Sequence, residues 1–173
     1  MNNNFYNKIF LILILVSLSF AAKTEEKKIS SEHEYNFYTG NFDFSDNKQK
    51  AILVGFQHQN ENLERVTFLG NASPITGGFI TENSAAYIYT GVEWNYKISE
   101  KLKFTPSFAP GIYHEGNGKD LGHALEFKTE IQASYSLSES TSLGMSYNHI
   151  SNASLGDKNP GANSYMFNLL KNF

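Results

Sequence analysis

The sequence predicts an all-β protein, an eight-stranded antiparallel up-and-down transmembrane β-barrel. Three observations lead to this prediction: apolar and polar residues alternate strictly over several segments, aromatic residues make up 14% of a chain whose mean hydropathy is −0.38, and the 173 residues include no cysteine. Strands of membrane barrels alternate with a period of two and carry girdles of aromatic rings. Because only helices and closed barrels satisfy every backbone polar group in lipid, strands that cross a membrane must close on themselves.

The N-terminus has the pattern of a secretory signal peptide. Lys8 supplies a positive charge, residues 9–16 are continuously apolar, and Ser19 and Ala21 are the small residues expected before a cleavage site. The apolar stretch is too short for a membrane-spanning helix, which needs about 20 residues. We therefore expect residues 1–21 to be a signal peptide and residues 22–173 to form one outer-membrane barrel domain.

The alternation is clearest between residues 125 and 137. A strand here has one oily face at the odd positions and one polar face at the even positions. The odd positions are Leu125, Phe127, Thr129, Ile131, Ala133, Tyr135 and Leu137, and the even positions are Glu126, Lys128, Glu130, Gln132, Ser134 and Ser136. Residues 86–96 and 102–112 alternate in the same way.

Weaker segments complete a set of eight predicted strands. The first strand changes parity between Phe37 and Phe42, which predicts a bulge near Gly40. Pro106 and Pro110 lie inside the fifth strand, where a missing backbone donor predicts a bulge or a locally broken pairing. The predicted strands are residues 34–44, 50–60, 64–72, 85–97, 101–113, 124–137, 141–151 and 163–173.

The predicted connections alternate between short and long. Short ones lie near residues 60–63, 98–100 and 138–140, and long ones at 73–84, 114–123 and 152–162. Outer-membrane barrels have short periplasmic turns and longer external loops, and an even strand number places both termini in the periplasm. The chain also ends on an aromatic residue, Phe173, which resembles the signal that directs such barrels to insertion. We therefore expect a bacterial outer-membrane protein with both termini periplasmic.

Two soluble folds would also alternate, a secreted β-sandwich and a lipocalin-like barrel, but both turn the apolar face inward. Here the polar face carries Glu93, Glu126, Lys128 and Glu130, which suit the wet or salt-bridged lumen of a small membrane barrel. The net charge of −3 and the isoelectric point near 5.9 give no reason to expect nucleic acid as a partner.

The last predicted hairpin holds a candidate catalytic site. The outward row of its first strand leads at two-residue steps to His149 and then to Ser151. Such neighbours lie roughly 6 to 7 Å apart along a strand, which suits a base and a nucleophile. Outward parity on the last strand leads to Asn163, which an antiparallel hairpin places across from them. Spacing alone favours an interfacial histidine, with a serine that opens a loop and an asparagine that closes it.

The run HISNASLGDKNPG at residues 149–161 closely resembles the last-loop motif of the lipid A 3-O-deacylases of the PagL type. Residues 118–123, followed by Phe127, resemble the preceding outer loop and strand of that family, and the likeness is good over residues 85–173. The resemblance implies an eight-stranded barrel with a Ser-His-Glu triad on its outer surface. It also implies that the partner is lipid A, or lipopolysaccharide, in the outer leaflet of the membrane.

Carried over by position, the resemblance makes Ser151 the nucleophile, His149 its general base and Asn159 an asparagine linked to the oxyanion site. Asn152 belongs to the motif and is given a supporting role. The chain departs from the family at Asn163, where its best-known members carry a glutamate. An asparagine carbonyl can orient an imidazole, as in cysteine proteases, but it offers no negative charge to the imidazolium.

Asp157 is an alternative third member of the triad, whereas Glu115 and Asp120 are expected to be solvated loop charges. No cofactor or metal is expected, because the remaining histidines are scattered without ligand spacing. These histidines are His33, His58, His114 and His123.

The expected function is removal of the 3-O-linked acyl chain of lipid A by a serine-histidine pair. Two alternatives stay open. One is a non-catalytic small outer-membrane barrel for envelope integrity or surface interaction, and the other is an esterase that acts on phospholipid.

Overall fold

The computed structural model describes residues 33–46 and 49–173 of the chain. The predicted signal peptide at residues 1–21 lies outside the described residues. The strands are β1 His33–Phe42, β2 Ala51–Asn60, β3 Arg65–Thr67, β4 Gly70–Thr81, β5 Ala86–Trp94, β6 Tyr96–Lys97, β7 Leu102–His114, β8 Leu125–Ser138, β9 Thr141–Ser151 and β10 Ala162–Asn172. A short 3-10 helix, Glu61–Leu63, follows β2. Among the described residues there is no helix that is long and apolar enough to cross a membrane.

Eight long strands close into an antiparallel barrel, which confirms the predicted fold class. β1 pairs with β2 on one side and with β10 on the other, and β2 continues the circle to β4. The two short strands, β3 and β6, extend the sheet beyond β2 and β5 at one end of the barrel. Closure gives each long strand a partner on both sides, which removes the free edges that lipid does not tolerate.

The predicted faces are confirmed. On β8, Ile131 and Tyr135 are exposed on the outer surface, whereas Lys128 and Gln132 are buried inside the barrel. The apolar residues thus face lipid and the polar residues fill the lumen, which is the reverse of a soluble barrel.

The two prolines of β7 interrupt the pairing with the preceding strand, as the sequence predicts. Residues 90–91 of β5 do not pair with β7 opposite Pro110, and residues 94–95 do not pair with it opposite Pro106, but the register on either side is the same. Both prolines stay within the continuous ladder to β8. The missing donors therefore break the ladder on one side only, without a bulge.

The bulge predicted near Gly40 is wrong, because β1 pairs in regular register with both of its neighbours through that residue. The change of parity has another cause. Phe42 points into the barrel, where it packs against the rings of Phe79 and Tyr113. This end of the lumen is filled with aromatic rings, so an apolar residue belongs on the inner face there.

The third predicted strand and the long loop after it are also wrong. The long strand β4 runs through residues 73–81, the turn to β5 is only residues 82–85, and the predicted short turn at 60–63 is part of a longer hairpin that includes β3. Gly77 and Gly78 resemble loop residues, but Gly77 makes room for a lumen ring and Gly78 accepts a hydrogen bond from another. A Cβ atom at Gly77 would lie 2.7 Å from the hydroxyl of Tyr89, and the Tyr38 hydroxyl donates to the carbonyl of Gly78 at 3.0 Å.

Paired polar side chains fill the rest of the lumen. Lys128 lies 3.3 Å from a carboxylate oxygen of Glu130 and 4.0 Å from the centre of the Tyr89 ring. Gln57 donates to Glu93 at 2.9 Å. A buried charge is tolerated when it is paired, as Lys128 and Glu130 are, so the lumen contains a salt bridge of the kind that the sequence predicts.

The start of β1 and the end of the chain lie at one end of the barrel. The backbone of His33 bonds to that of Phe173, which places the start of β1 beside the end of the chain. The connections after β1, β4, β7 and β9 gather at the other end, here called the loop end. His149, Ser151 and Asn163 all lie at the loop end.

Replacement of Ile131 by arginine tests which face meets lipid. Ile131 is 50% exposed near the middle of β8. A cationic side chain at the midplane costs about 2 to 4 kcal/mol, so Ile131→Arg should lower the free energy of unfolding of the barrel in lipid vesicles by that amount. Ile131→Leu is the matched control and should be nearly neutral. Equal urea-unfolding curves for the arginine and leucine variants would contradict the assignment of faces.

Candidate active site

Three candidate residues meet on the outer surface at the loop end. His149 and Ser151 belong to β9 and lie on the same face of the strand, and both are partly exposed. Asn163, near the start of β10, is directly paired with His149. The sequence predicted this juxtaposition from parity alone, and the register of the hairpin confirms it.

Asn163 contacts the imidazole of His149. Asn163 Oδ1 lies 2.8 Å from His149 Nδ1 and also accepts a hydrogen bond from the Tyr147 hydroxyl at 2.7 Å. A carbonyl oxygen can only accept, so this contact requires the imidazole proton to be on Nδ1. Nε2 is then left with a lone pair, as a general base requires.

Ser151 follows His149 on the same face, and its hydroxyl has no hydrogen-bond partner in the described part of the chain. Adjacent same-face positions on a strand are separated by about 6 to 7 Å. No hydrogen bond joins Ser151 to His149 in the described part of the chain, and contacts between a nucleophile and its base often tighten only when substrate binds.

The loop after Ser151 is fixed by two asparagines of the motif. Asn159 Oδ1 accepts the backbone N–H of Asn152 at 3.1 Å. Its own amide nitrogen has no partner among the described residues and is therefore able to donate to a ligand. The side chain of Asn152 is fully buried and donates to the carbonyls of Leu121 and Lys158 at 2.8 and 2.9 Å. Asn152 thus holds two loops together and does not reach the surface.

Other contacts also join these two loops. Gly122 has a φ of +91°, and a Cβ atom there would lie 2.3 Å from the carbonyl oxygen of Lys158. Lys158 forms an ion pair with Asp120. Hydrogen bonds from Lys158 and from the Gly122 backbone hold the pKa of Asp120 below its ordinary value. Asp120, expected as a solvated charge, therefore has a structural partner.

The first loop contributes residues that sequence reasoning missed. Asp43 Oδ1 accepts the backbone N–H of Asn163 at 3.3 Å, and the Ser45 hydroxyl lies 3.4 Å from Asn163 Nδ2. The Asp43 carboxylate is buried and lies 2.6 Å from Lys119 Nζ. No motif marks these residues. The only available signal was an aspartate at the end of the first strand, next to the last strand of a closed barrel.

Gly161 packs against the ring of His149. Its φ is +62°, and a Cβ atom there would lie 2.8 Å from His149 Cε1 and 3.4 Å from Nε2. Any other residue at this position would adopt an unfavourable backbone conformation and would also push the imidazole from its place.

The alternative candidates lie apart from this cluster. Asp157 is exposed, and no hydrogen bond joins it to His149 within the described chain. His33 and His58 contact each other at 2.8 Å at the opposite end of the barrel. No group of three or more potential metal ligands exists among the residues that the structure describes.

Comparison with known families identifies the chain. The model of the family described as Lipid A 3-O-deacylase (PagL) matches residues 17–172. The chain belongs to this family. Lipid A 3-O-deacylases are hydrolases of an ester bond, so the protein is a hydrolase of the outer membrane. No curated protein sequence matches the chain.

Solved structures support the barrel fold. A crystal structure of the outer membrane enzyme PagL has a TM-score of 0.60 and 16% identity, over 80% of this chain and 98% of that one. A de novo designed transmembrane β-barrel has a TM-score of 0.55 and 11% identity, over 85% and 99%. The Yersinia pestis outer membrane protein Ail in a phospholipid bilayer nanodisc has a TM-score of 0.50 and 11% identity, over 83% and 100%.

In this deacylase family member, Gly161→Ala should displace the imidazole of His149. We expect ester hydrolysis per folded barrel to fall by about tenfold or more, because small misplacements of a reacting group are costly. Gly70→Ala is the matched control, since Gly70 also has a positive φ, +104°, but no atom within 4 Å of the added Cβ position. The readout is the initial rate of acyl release in detergent micelles. Wild-type rates for Gly161→Ala would show that Gly161 does not position the histidine.

Proposed function

We propose that the protein removes the 3-O-linked acyl chain of lipid A in the outer leaflet, with Ser151 as nucleophile, His149 as general base and Asn163 as the residue that orients the base. One observation carries this proposal: the 2.8 Å contact between Asn163 Oδ1 and His149 Nδ1 lies on the outer surface, beside a serine on the same strand face. Family membership favours this esterase over a non-catalytic barrel.

The first half of the reaction forms an acyl-enzyme. Ser151 Oγ attacks the ester carbonyl carbon, and its proton passes to Nε2 of His149. When the tetrahedral intermediate collapses, the imidazolium gives that proton to the sugar oxygen, which leaves as an alcohol. In the second half, a water gives a proton to His149 and its oxygen attacks the acyl carbon. When this second tetrahedral intermediate collapses, the imidazolium returns the proton to Ser151 Oγ, and the fatty acid and the free serine are released without a metal or cofactor.

The oxyanion of each tetrahedral intermediate needs hydrogen-bond donors. The backbone N–H of Asn152, the residue after the nucleophile, is already bonded to Asn159 Oδ1. That contact turns the amide nitrogen of Asn159 away from the backbone. We assign this nitrogen as an oxyanion donor, which contributes on the order of 10²-fold or more to kcat at comparable sites.

The position of the site fits a lipid substrate. His149 and Ser151 continue the outward row of β9, in which Met145 and Tyr147 are exposed. An acyl chain that lies along this surface stays in an apolar environment while its ester reaches the loop end. The loop end then faces the outside of the cell, and both chain termini lie in the periplasm.

Removal of either member of the pair should abolish the activity. Ser151→Ala and His149→Ala are each expected to stop loss of the 3-O-linked acyl chain, and the double variant should be no worse than either alone, because the two groups act as a unit. Mass spectrometry of lipid A from cells with each variant measures the loss, normalised to heat-modifiable barrel on gels.

The same variants distinguish the substrates. Purified barrel is incubated with lipid A and, separately, with a diacyl phospholipid, with Ser151→Ala as the blank. Acyl release from lipid A alone is expected. Serine-dependent release from phospholipid alone would replace lipid A as the substrate, and deacylation of lipid A by Ser151→Ala would end the serine mechanism.

Asn163 should respond in opposite directions to two substitutions. Asn163→Glu adds the negative charge that stabilises the imidazolium, so we expect activity per folded barrel to rise. Asn163→Leu removes the acceptor and should lower activity. Asp157→Asn is the parallel test of the loop aspartate and should be neutral. If Asn163→Leu keeps parental activity and Asp157→Asn is inactive, Asp157 is the third member.

A further inference from the structure

We propose that Asp43 is the carboxylate that orients His149, and that it acts at a distance, through Ser45 and Asn163, in place of the glutamate that this chain lacks. Asp43 is thus a positioning residue supplied by the first loop of the barrel. The inference rests on the proposed function of His149 as a base, but one of its tests does not depend on activity.

An asparagine in this position has a problem that a glutamate does not have. A carboxylate accepts hydrogen bonds through both oxygens, whereas an amide has one accepting and one donating end. With Oδ1 toward His149, the imidazole proton is on Nδ1 and Nε2 is a base. If the amide turned over, Nδ2 would donate to Nδ1, and the proton would occupy Nε2. The histidine could then accept no proton from Ser151.

The hydroxyl groups beside the amide do not by themselves choose between these orientations. The Tyr147 hydroxyl lies 2.7 Å from Asn163 Oδ1, and the Ser45 hydroxyl lies 3.4 Å from Asn163 Nδ2. A hydroxyl group both donates and accepts, so each could bond either end of the amide. The orientation of the Asn163 amide must therefore be set by a neighbour that can only donate or only accept a hydrogen bond.

Asp43 is that neighbour. Its ionised carboxylate only accepts, its side chain is 1% exposed, and Lys119 Nζ lies 2.6 Å from Oδ2. The other oxygen, Oδ1, accepts the hydroxyl proton of Ser45 at 3.4 Å. Since Ser45 has only one proton and gives it to Asp43, its oxygen can only accept from Asn163 Nδ2. Oδ1 of Asn163 must then face His149.

The ion pair of Asp43 with Lys119 thus fixes which group donates in each hydrogen bond from Ser45 through Asn163 to the imidazole of His149. The two contacts of Ser45 are long, so each is weak, but Asp43 also fixes the backbone of the same asparagine. Its Oδ1 accepts the N–H of Asn163 at 3.3 Å, and the N–H of the next residue, Phe44, donates to the Asn163 carbonyl at 3.0 Å. The first loop therefore contacts both the backbone and the side chain of Asn163.

The backbone of Asp43 has an unfavourable conformation, which its contacts must stabilise. Its φ is +48°, in the left-handed region that costs free energy for any residue with a side chain. Asp and Asn tolerate this region better than most residues do. Strained backbone of this kind persists where surrounding contacts impose it, and here those contacts are with Lys119 and Asn163.

The decisive experiment is a double-mutant cycle between positions 43 and 163. Asp43→Asn replaces the acceptor by an amide that can turn over, and we expect kcat to fall about tenfold with KM unchanged, because a fraction of the histidine carries the wrong tautomer. In the Asn163→Glu background the same substitution should change kcat less than about threefold, since a carboxylate at 163 has no orientation to lose.

Two outcomes of this cycle overturn the proposal. Equal losses in both backgrounds would mean that Asp43 only stabilises the loop, and no loss in the Asn163 background would mean that it does nothing. Asp46→Asn is the matched control: Asp46 lies 3.8 Å from the same Lys119 amino group, and its substitution should leave kcat unchanged in both backgrounds. All rates are expressed per heat-modifiable barrel.

Nitrogen-15 NMR of histidine-labelled barrel in micelles tests the same idea without catalysis. With the imidazole of His149 neutral, the parent should show the Nδ1–H tautomer, and Asp43→Asn should show an increased population of Nε2–H. His149→Asn identifies the signal by its loss. An unchanged tautomer in Asp43→Asn overturns the proposal even if deacylation is observed. A shifted tautomer supports it even if the substrate is not lipid A.

Discussion

The pairing of β1 with β10 is the interaction on which the rest of the structure depends. It removes the last two free edges of the sheet, so that the backbone groups of the long strands are bonded within the barrel, as lipid requires. Its register also decides which residues meet at the loop end. Asp43 follows β1 directly, and its carboxylate accepts the backbone N–H of Asn163, a residue 120 positions away. One set of backbone hydrogen bonds thus closes the barrel and completes the surroundings of the candidate active site.

The interior explains how a small barrel holds such a site firmly. With lipid outside, burial of apolar surface on the outer face contributes little to strand association, and the lumen must supply specific packing. Buried apolar side chains, among them Phe42, Ile150 and Ala162, fill the loop end behind the site. The buried ion pair of Lys128 and Glu130 lies on the neighbouring strand β8, where Lys128 is in register with Ile150. The outer surface of β9 at His149 is therefore backed by buried side chains.

Periodicity predicted most of the barrel and half of the site. Strands β8 and β9 could be predicted because lipid on one side and a polar lumen on the other leave an unambiguous two-residue pattern, and the same parity placed His149, Ser151 and Asn163 together. Strand β4 could not, because Gly77 and Gly78 resemble loop residues, and the sequence does not reveal that Gly77 leaves space for the ring of Tyr89. Asp43 could not either. The order of strands in an up-and-down barrel predicts that β1 adjoins β10, but the stagger that brings Asp43 to Asn163 depends on the shear of the whole barrel.

The division of the site between the two ends of the chain has a consequence for biogenesis. The proposed nucleophile and base come from the last hairpin, whereas the carboxylate proposed to set the tautomer of the base comes from the first loop. A polypeptide on its way across the envelope carries both parts but has not yet joined them. In this proposal the imidazole of His149 acquires a defined tautomer only when β1 pairs with β10. The protein would then become active only after the barrel closes, and it would not hydrolyse lipids in the compartments that the newly made chain crosses.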